Sequence, residues 1–211
     1  MSTTDQAADV FRQHRRIGFI WLLAPVALAA VAVTAPVWDR GSIVSLGLRD
    51  LGAIAVFLGI AGRCWATMYV GGRKNRELVV SGPYRYTRNP LYLASSIAAL
   101  GVGLLFGSIA LGVALFALSV AVFLYVIGRE ERTLLRLFGG DYENYRHRVP
   151  MLLPDWRSPG FPYQSADVSV SPGAVRTTFL HACTFLLALP AAMLFDQLRL
   201  LDLVPVLLRL P

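Results

Sequence analysis

Nearly every side chain in this sequence that is suited to chemistry beside a lipid phase sits in two short stretches. The first is "SGPYRYTRNPLYLASS", residues 81–96, which holds Tyr84, Arg85, Tyr86, Arg88, Asn89, Pro90 and Tyr92 just before and inside an apolar run. The second is "GREER", residues 128–132, where Glu130 and Glu131 lie between Arg129 and Arg132. Adjacent carboxylates directly after an apolar segment repel one another and gain nothing from lipid, so Glu130 and Glu131 point to a cationic partner, with a solvated pair at a helix end beside Arg129 and Arg132 as the plainer alternative. Carboxylates, guanidinium groups and tyrosine faces together suit a small zwitterion bearing a sulfonium: ammonium on Glu, carboxylate on Arg, cationic sulfur against an aromatic ring. A plainer reading stays open for Tyr84, Arg85 and Tyr86, which also suit an interfacial belt of aromatic rings and headgroup-binding arginines.

The elements that must position these residues are membrane spans. Of the 211 residues, 55% are hydrophobic and 16% charged, with a mean hydropathy of +0.55, against about 25% charge in soluble domains. The apolar residues come in blocks near the ~20 residues that cross a bilayer core as a helix. A first span is expected over 17–38, with Trp21 and Trp38 near its ends, and a second over 43–70, whose apolar part begins near Leu51. The polar N-terminus and the length of the first block indicate a retained span, not a removed signal. Arg63 falls inside the second span and either snorkels to the interface or faces a polar cavity.

Residues 91–126 are almost continuously apolar, too long for one span and right for two, with "FGSIALG" (106–112) as the turn. A tight helical hairpin follows, in which Gly103 and Gly107 have the small-xxx-small spacing of close helix packing. Such a hairpin returns the chain to its starting side and brings Tyr92 and Glu130 together. Pro90 suits the first turn of the helix, with Asn89 as its cap. Beyond Gly128 the chain is charged and amphipathic: one helix ends at Gly139-Gly140, a second is capped by Asp141 and stopped by Pro150. Residues 155–175 form a surface loop. A last span over 179–195 kinks at Pro190, and the tail 197–211 lies in the interface or packs as part of a broken span.

The fold class is therefore all-α: a polytopic membrane protein with about five transmembrane helices and a cytoplasmic amphipathic helical cap. Its three regions are two spans (1–70), a core carrying both motifs (71–154), and a loop, span and tail (155–211). The N-terminus, 71–90 and 128–175 are basic and fall on one side, the cytoplasmic one by the positive-inside rule. That placement explains the formal charge of +7 without nucleic acid. Cys64 and Cys183 lie in apolar segments without CxxC spacing, and read as small buried hydrophobes, with no metal site or disulfide expected.

"ELVVSGPYRYTRNPLYLA" followed at this distance by "EERTLLRLFGGDYENYRHRVPMLLP" resembles the isoprenylcysteine carboxyl methyltransferase and phospholipid methyltransferase superfamily, small multi-span membrane enzymes that use S-adenosylmethionine. The resemblance covers residues 73–154. It implies a cofactor site with Tyr84, Arg88, Asn89, Pro90 and Tyr92 as one half and Glu130 and Glu131 as the other, one of the two carboxylates holding the cofactor's amino group. It implies Leu135, Phe138, Tyr142 and Tyr145 as the packing side of the cap. The family commonly has His where this chain has Asn89 and Arg76, and Gly where it has Ala94, so no imidazole role carries over.

The function implied is methyl transfer from S-adenosylmethionine to a lipid-borne or small apolar acceptor, isoprenylcysteine-carboxylate-like or phospholipid-like. His14, His147 and His181 lie outside the motifs, which favours an acceptor needing no protein base; no catalytic residue is assigned, nor an oligomeric state. Two alternatives stand beside it: a membrane NADPH-dependent reductase of sterol-reductase type, and a non-enzymatic transport or assembly protein.

Overall fold

A computed structural model describes residues 34–39, 41–74, 76–157, 161, 170–204 and 208–211. The elements are β1 (Thr34–Pro36), α1 (Ile43–Val70), a 3-10 turn (Gly82–Arg85), α2 (Pro90–Leu105), α3 (Ile109–Arg148), α4 (Pro172–Ala182), a 3-10 segment (Cys183–Leu187), α5 (Ala188–Leu200) and β2 (Leu208–Leu210). Three stretches are long and apolar enough to cross a membrane: Ile43–Val70, Ile109–Arg148 and Pro172–Leu200. The fourth apolar helix, α2, has 16 residues, about 24 Å at 1.5 Å per residue, short of a ~30 Å hydrocarbon core.

The described residues thus hold three such stretches and one shorter apolar helix, where about five spans are expected. Most of the expected first span lies outside them. Its end differs from expectation: Thr34–Pro36 is a strand paired in parallel with Leu208–Leu210, so no helix runs to Trp38. Pro36 lacks the N–H a helix interior needs. The tail begins as the last turn of α5, within the broken stretch Pro172–Leu200. It turns after Leu200, and Pro211 brings its carbonyl to Ser108 Oγ (2.9 Å) and the Ala110 N–H (2.9 Å), tying the tail to the hairpin turn.

That turn falls inside the expected segment. Gly107 takes φ 76°, a conformation that costs a glycine little, and Ser108 caps α3 by accepting the Leu111 N–H at 3.1 Å. Gly107 therefore serves the turn, not helix packing, while Gly103 does pack, against the backbone of Leu111 and Gly112. The more extensive seam joins α1 to α2: a Cβ on Gly101 would stand 2.6 Å from the Gly52 carbonyl oxygen, and one on Gly52 would stand 2.7 Å from the Leu105 nitrogen. Between lipid-soluble helices dispersion is the main attraction, so backbones this close matter more than bulk hydrophobicity. Val56, Ile60, Leu105 and Ala182 form the core beside the seam, while Phe57, Leu58, Leu118 and Leu124 face outward, as lipid-facing side chains do.

α3 has 40 residues, about 60 Å of helix, so its last third emerges from the apolar layer without a break at Gly128. The interruption comes at Gly139, with φ 50° and ψ −124°, as the Gly-Gly pair predicts. Asp141 lies in the first turn after it and not at a separate cap. The last span breaks earlier than Pro190, at the 3-10 segment Cys183–Leu187; Pro190 falls in the first turn of α5, where its missing N–H is harmless.

Gly52→Val and Gly101→Leu should each force the seam apart and destabilise by about 1–3 kcal/mol, whereas Gly47→Ala, with nothing within 4 Å of its Cβ, should not. Thermal unfolding of the detergent-solubilised protein reads the difference.

Candidate functional site

The loop between α1 and α2 makes its own local turns at 70–77 and 81–87, and the segment after α3 ties it down. The Thr87 hydroxyl lies within hydrogen-bonding reach of the Met151 and Leu152 carbonyls (3.2 and 3.0 Å), and Asn89 Nδ2 donates to Met151 O (3.0 Å). The Arg88 N–H donates to Pro150 O (2.9 Å) and the Asp155 N–H to Tyr86 O (3.0 Å). Tyr145, near the end of α3, donates its hydroxyl to Tyr84 O at 2.8 Å. Beneath this zipper Tyr142, Tyr145 and Val149 pack with Leu134, Phe138, Leu78, Val80 and Phe161. Leu135, expected on that packing side, is exposed; Leu134 takes its place one position earlier.

The expected site residues come together here and divide into two sets. Arg88 and Glu131 form a buried ion pair, Nη2 to Oε1 2.9 Å, with side chains only 8% and 15% exposed. Arg88 Nη1 also donates to Arg146 O (2.8 Å). A pair this dry is committed to the loop–helix junction. Glu130, one residue earlier, faces differently: Oε2 accepts from the Tyr92 hydroxyl at 2.8 Å, and Oε1 lies 3.2 Å from Lys74 Nζ. Tyr92 stacks on Phe123, ring centroids 4.8 Å apart, and Phe123 lies two helical turns before Glu130 on the same strip of α3. Asn89 stands at the helix cap position as expected, but its side chain makes no cap bond; it is spent on Met151. Pro90 begins α2.

Tyr84 and Tyr145 of this junction stay protonated. Burial, then the charge of Glu130, pushes Tyr84 well above the ordinary phenol value; burial, with Tyr84 and Tyr142 nearby, does the same for Tyr145. Below the plane of Tyr92, Arg63 of α1 donates Nη1 to Ser95 Oγ on α2, and Ser95 Oγ donates to Leu91 O at 2.7 Å. Arg63 therefore crosses a helix seam instead of merely reaching for the interface. Lys74 and Phe123 are the residues that sequence reasoning passed over. The seven-residue spacing from Phe123 to Glu130 was a usable signal; Lys74 gave none within its basic stretch. Among the described residues no three His, Cys, Asp or Glu side chains converge.

Residues 45–141 match the phospholipid methyltransferase family model. The chain is similar to a cobalt-zinc-cadmium resistance protein of Cupriavidus metallidurans, 35% identical over 149 residues, 71% of this chain and 68% of that one. It is also similar to a nickel-cobalt-cadmium resistance protein of Alcaligenes xylosoxydans xylosoxydans, 33% identical over 146 residues, 69% of this chain and 68% of the relative. A protein-S-isoprenylcysteine O-methyltransferase of Schizosaccharomyces pombe is 38% identical over 88 residues, 40% of this chain and 37% of that enzyme. No solved structure matches the chain.

Removing one partner of the Arg88–Glu131 pair should cost about 3–5 kcal/mol. Arg88→Met and Glu131→Gln should be strongly non-additive in a double-mutant cycle of thermal stability. Stability should also fall as pH rises past about 10, where unfolded tyrosines ionise while Tyr84 and Tyr145 resist; the unfolded state then binds fewer protons, so the slope is negative. Tyr145→Phe should flatten that slope in pH-dependent unfolding measurements.

Proposed function

This chain belongs to the isoprenylcysteine carboxyl methyltransferase and phospholipid methyltransferase superfamily of membrane methyltransferases, and we propose that it moves a methyl group from S-adenosylmethionine to a lipid-borne or small apolar acceptor. The observation that carries this reading is the Tyr92–Glu130–Lys74 cluster: a carboxylate, an ammonium and a stacked aromatic face within one hydrogen-bonded group. The donor set fits the proposed cofactor, which when bound supplies an electrophilic methyl on a cationic sulfur. Glu130 takes its ammonium, and the Tyr92 and Phe123 rings give the sulfonium a polarisable wall. The Tyr92 hydroxyl, donating to Glu130, fixes the carboxylate's direction, and Arg88–Glu131 holds the loop that leads into the first turn of α2, where Tyr92 lies.

The acceptor arrives from the bilayer in this reading, while the cofactor side faces the cytoplasm. Arg63 lies seven residues before the end of α1 and Ser95 five residues past Pro90, deeper than Tyr92. A guanidinium at that depth is costly unless used, and it offers a counter-charge to a carboxylate or phosphate on the acceptor. The chain contributes mainly orientation and exclusion of water, since displacement at a methyl carbon responds above all to alignment.

S-adenosylhomocysteine at about 100 times its Kd should stabilise the protein by about 2.7 kcal/mol, and NADPH should not. Glu130→Gln should remove most of that shift. Incubating lipid extracts with methyl-labelled cofactor, then testing the product for base-labile label, separates an ester from N-, S- or C-methylation.

A further inference from the structure

Among the described residues Lys74 forms an ion pair with Glu130, and its position has a consequence for how a zwitterion enters the site. α1 ends at Val70; the Gly71 N–H closes on Thr67 O at 2.7 Å, and Gly72 adopts φ 80°. This turn carries Lys74 across to α3, where Nζ stands 3.2 Å from Glu130 Oε1. The Lys74 side chain is 60% exposed and Glu130 20% exposed. With its ammonium end largely in water the pair is screened by solvent, so separating it by the width of one small group costs little. Among the described residues, three other cations of the junction are committed elsewhere. Arg88 is held by Glu131 and by Arg146 O, Arg129 lies over the outward-facing Tyr125 ring, and Arg132 donates Nε to Gly128 O.

We propose that Lys74 binds the α-carboxylate of the cofactor while Glu130 binds its ammonium, the amino-acid end of the cofactor inserting into the Lys74–Glu130 pair. This rests on the methyltransferase reading above and adds a residue and a role to it. The physical basis is charge order. An α-amino acid presents an ammonium and a carboxylate on one carbon, and between a carboxylate and an ammonium it completes an alternating row of four charges. Each new contact is a charge-assisted hydrogen bond. Lys74 Nζ already lies against the carboxylate that the ligand ammonium needs, so its displacement and its new contact are one movement of a flexible four-carbon side chain. Exposure of Lys74 to water keeps its own desolvation small, and leaves the methyl-bearing sulfur on the Tyr92–Phe123 side.

Equilibrium binding of two ligands to the detergent-purified full chain tests this: S-adenosylhomocysteine, and its analogue with hydrogen in place of the carboxylate. Lys74→Gln should weaken S-adenosylhomocysteine about tenfold and leave the decarboxylated analogue unchanged, while Lys74→Arg should keep most of the affinity. Equal weakening of both ligands, or no change in either, overturns the role of Lys74 while leaving the cofactor reading standing. Failure of the unsubstituted chain to bind S-adenosylhomocysteine overturns both.

Discussion

The buried Arg88–Glu131 pair is the constraint on which the rest of the site depends. It links the loop before α2 to the point where α3 leaves the apolar layer, and both partners are nearly dry. An ion pair taken from water offers little net stability by itself. Its value is in specifying one arrangement, because any other pairing of loop and helix would strand a buried charge. With Arg88 fixed, its own N–H reaches Pro150 and its second nitrogen reaches Arg146. Asn89, Pro90 and Tyr92 follow in register, and Tyr92 meets Glu130.

The membrane part supplies a frame of a different character. The seam of α1 and α2 is made of glycine and alanine backbone contact, while the outward faces of α1 and α3 show large apolar side chains to lipid. α2 is the short member of the hairpin, and α3 the long one. That inequality places the first turn of α2 beside the emerging stretch of α3, and so brings the two motifs to one level. At the other end, Arg49 of α1 meets Asp196 of α5 at 2.5 Å, Arg199 joins them at 3.7 Å, and the β1–β2 pair closes the tail against the hairpin turn.

Much of this was legible in the sequence, and the reasons are local. Residues 43–70 read as a span because composition decides that, and the hairpin turn was visible because Gly107 and Ser108 are turn and cap residues inside an unbroken apolar run. The neighbourhood of Tyr92 and Glu130 followed from the hairpin alone. What was not legible depends on distant partners. Nothing local distinguishes Glu130 from Glu131, yet one is committed to Arg88 and the other faces Tyr92 and Lys74. Thr34–Pro36 looks like the end of an apolar block until Leu208–Leu210 is placed beside it. Asn89 has the sequence of a cap and the contacts of a strut, since Met151 competes for its amide.

The central claim is that the cofactor site lies where the two motifs meet, between the first turn of α2 and the emergence of α3. Ultraviolet cross-linking of methyl-labelled S-adenosylmethionine to the full-length protein, followed by mass-spectrometric mapping of the labelled peptides, addresses it directly. The label should fall within residues 84–92 and 123–131, and excess S-adenosylhomocysteine should suppress it. Competable label confined to other segments, such as α5 or the tail, would contradict the claim.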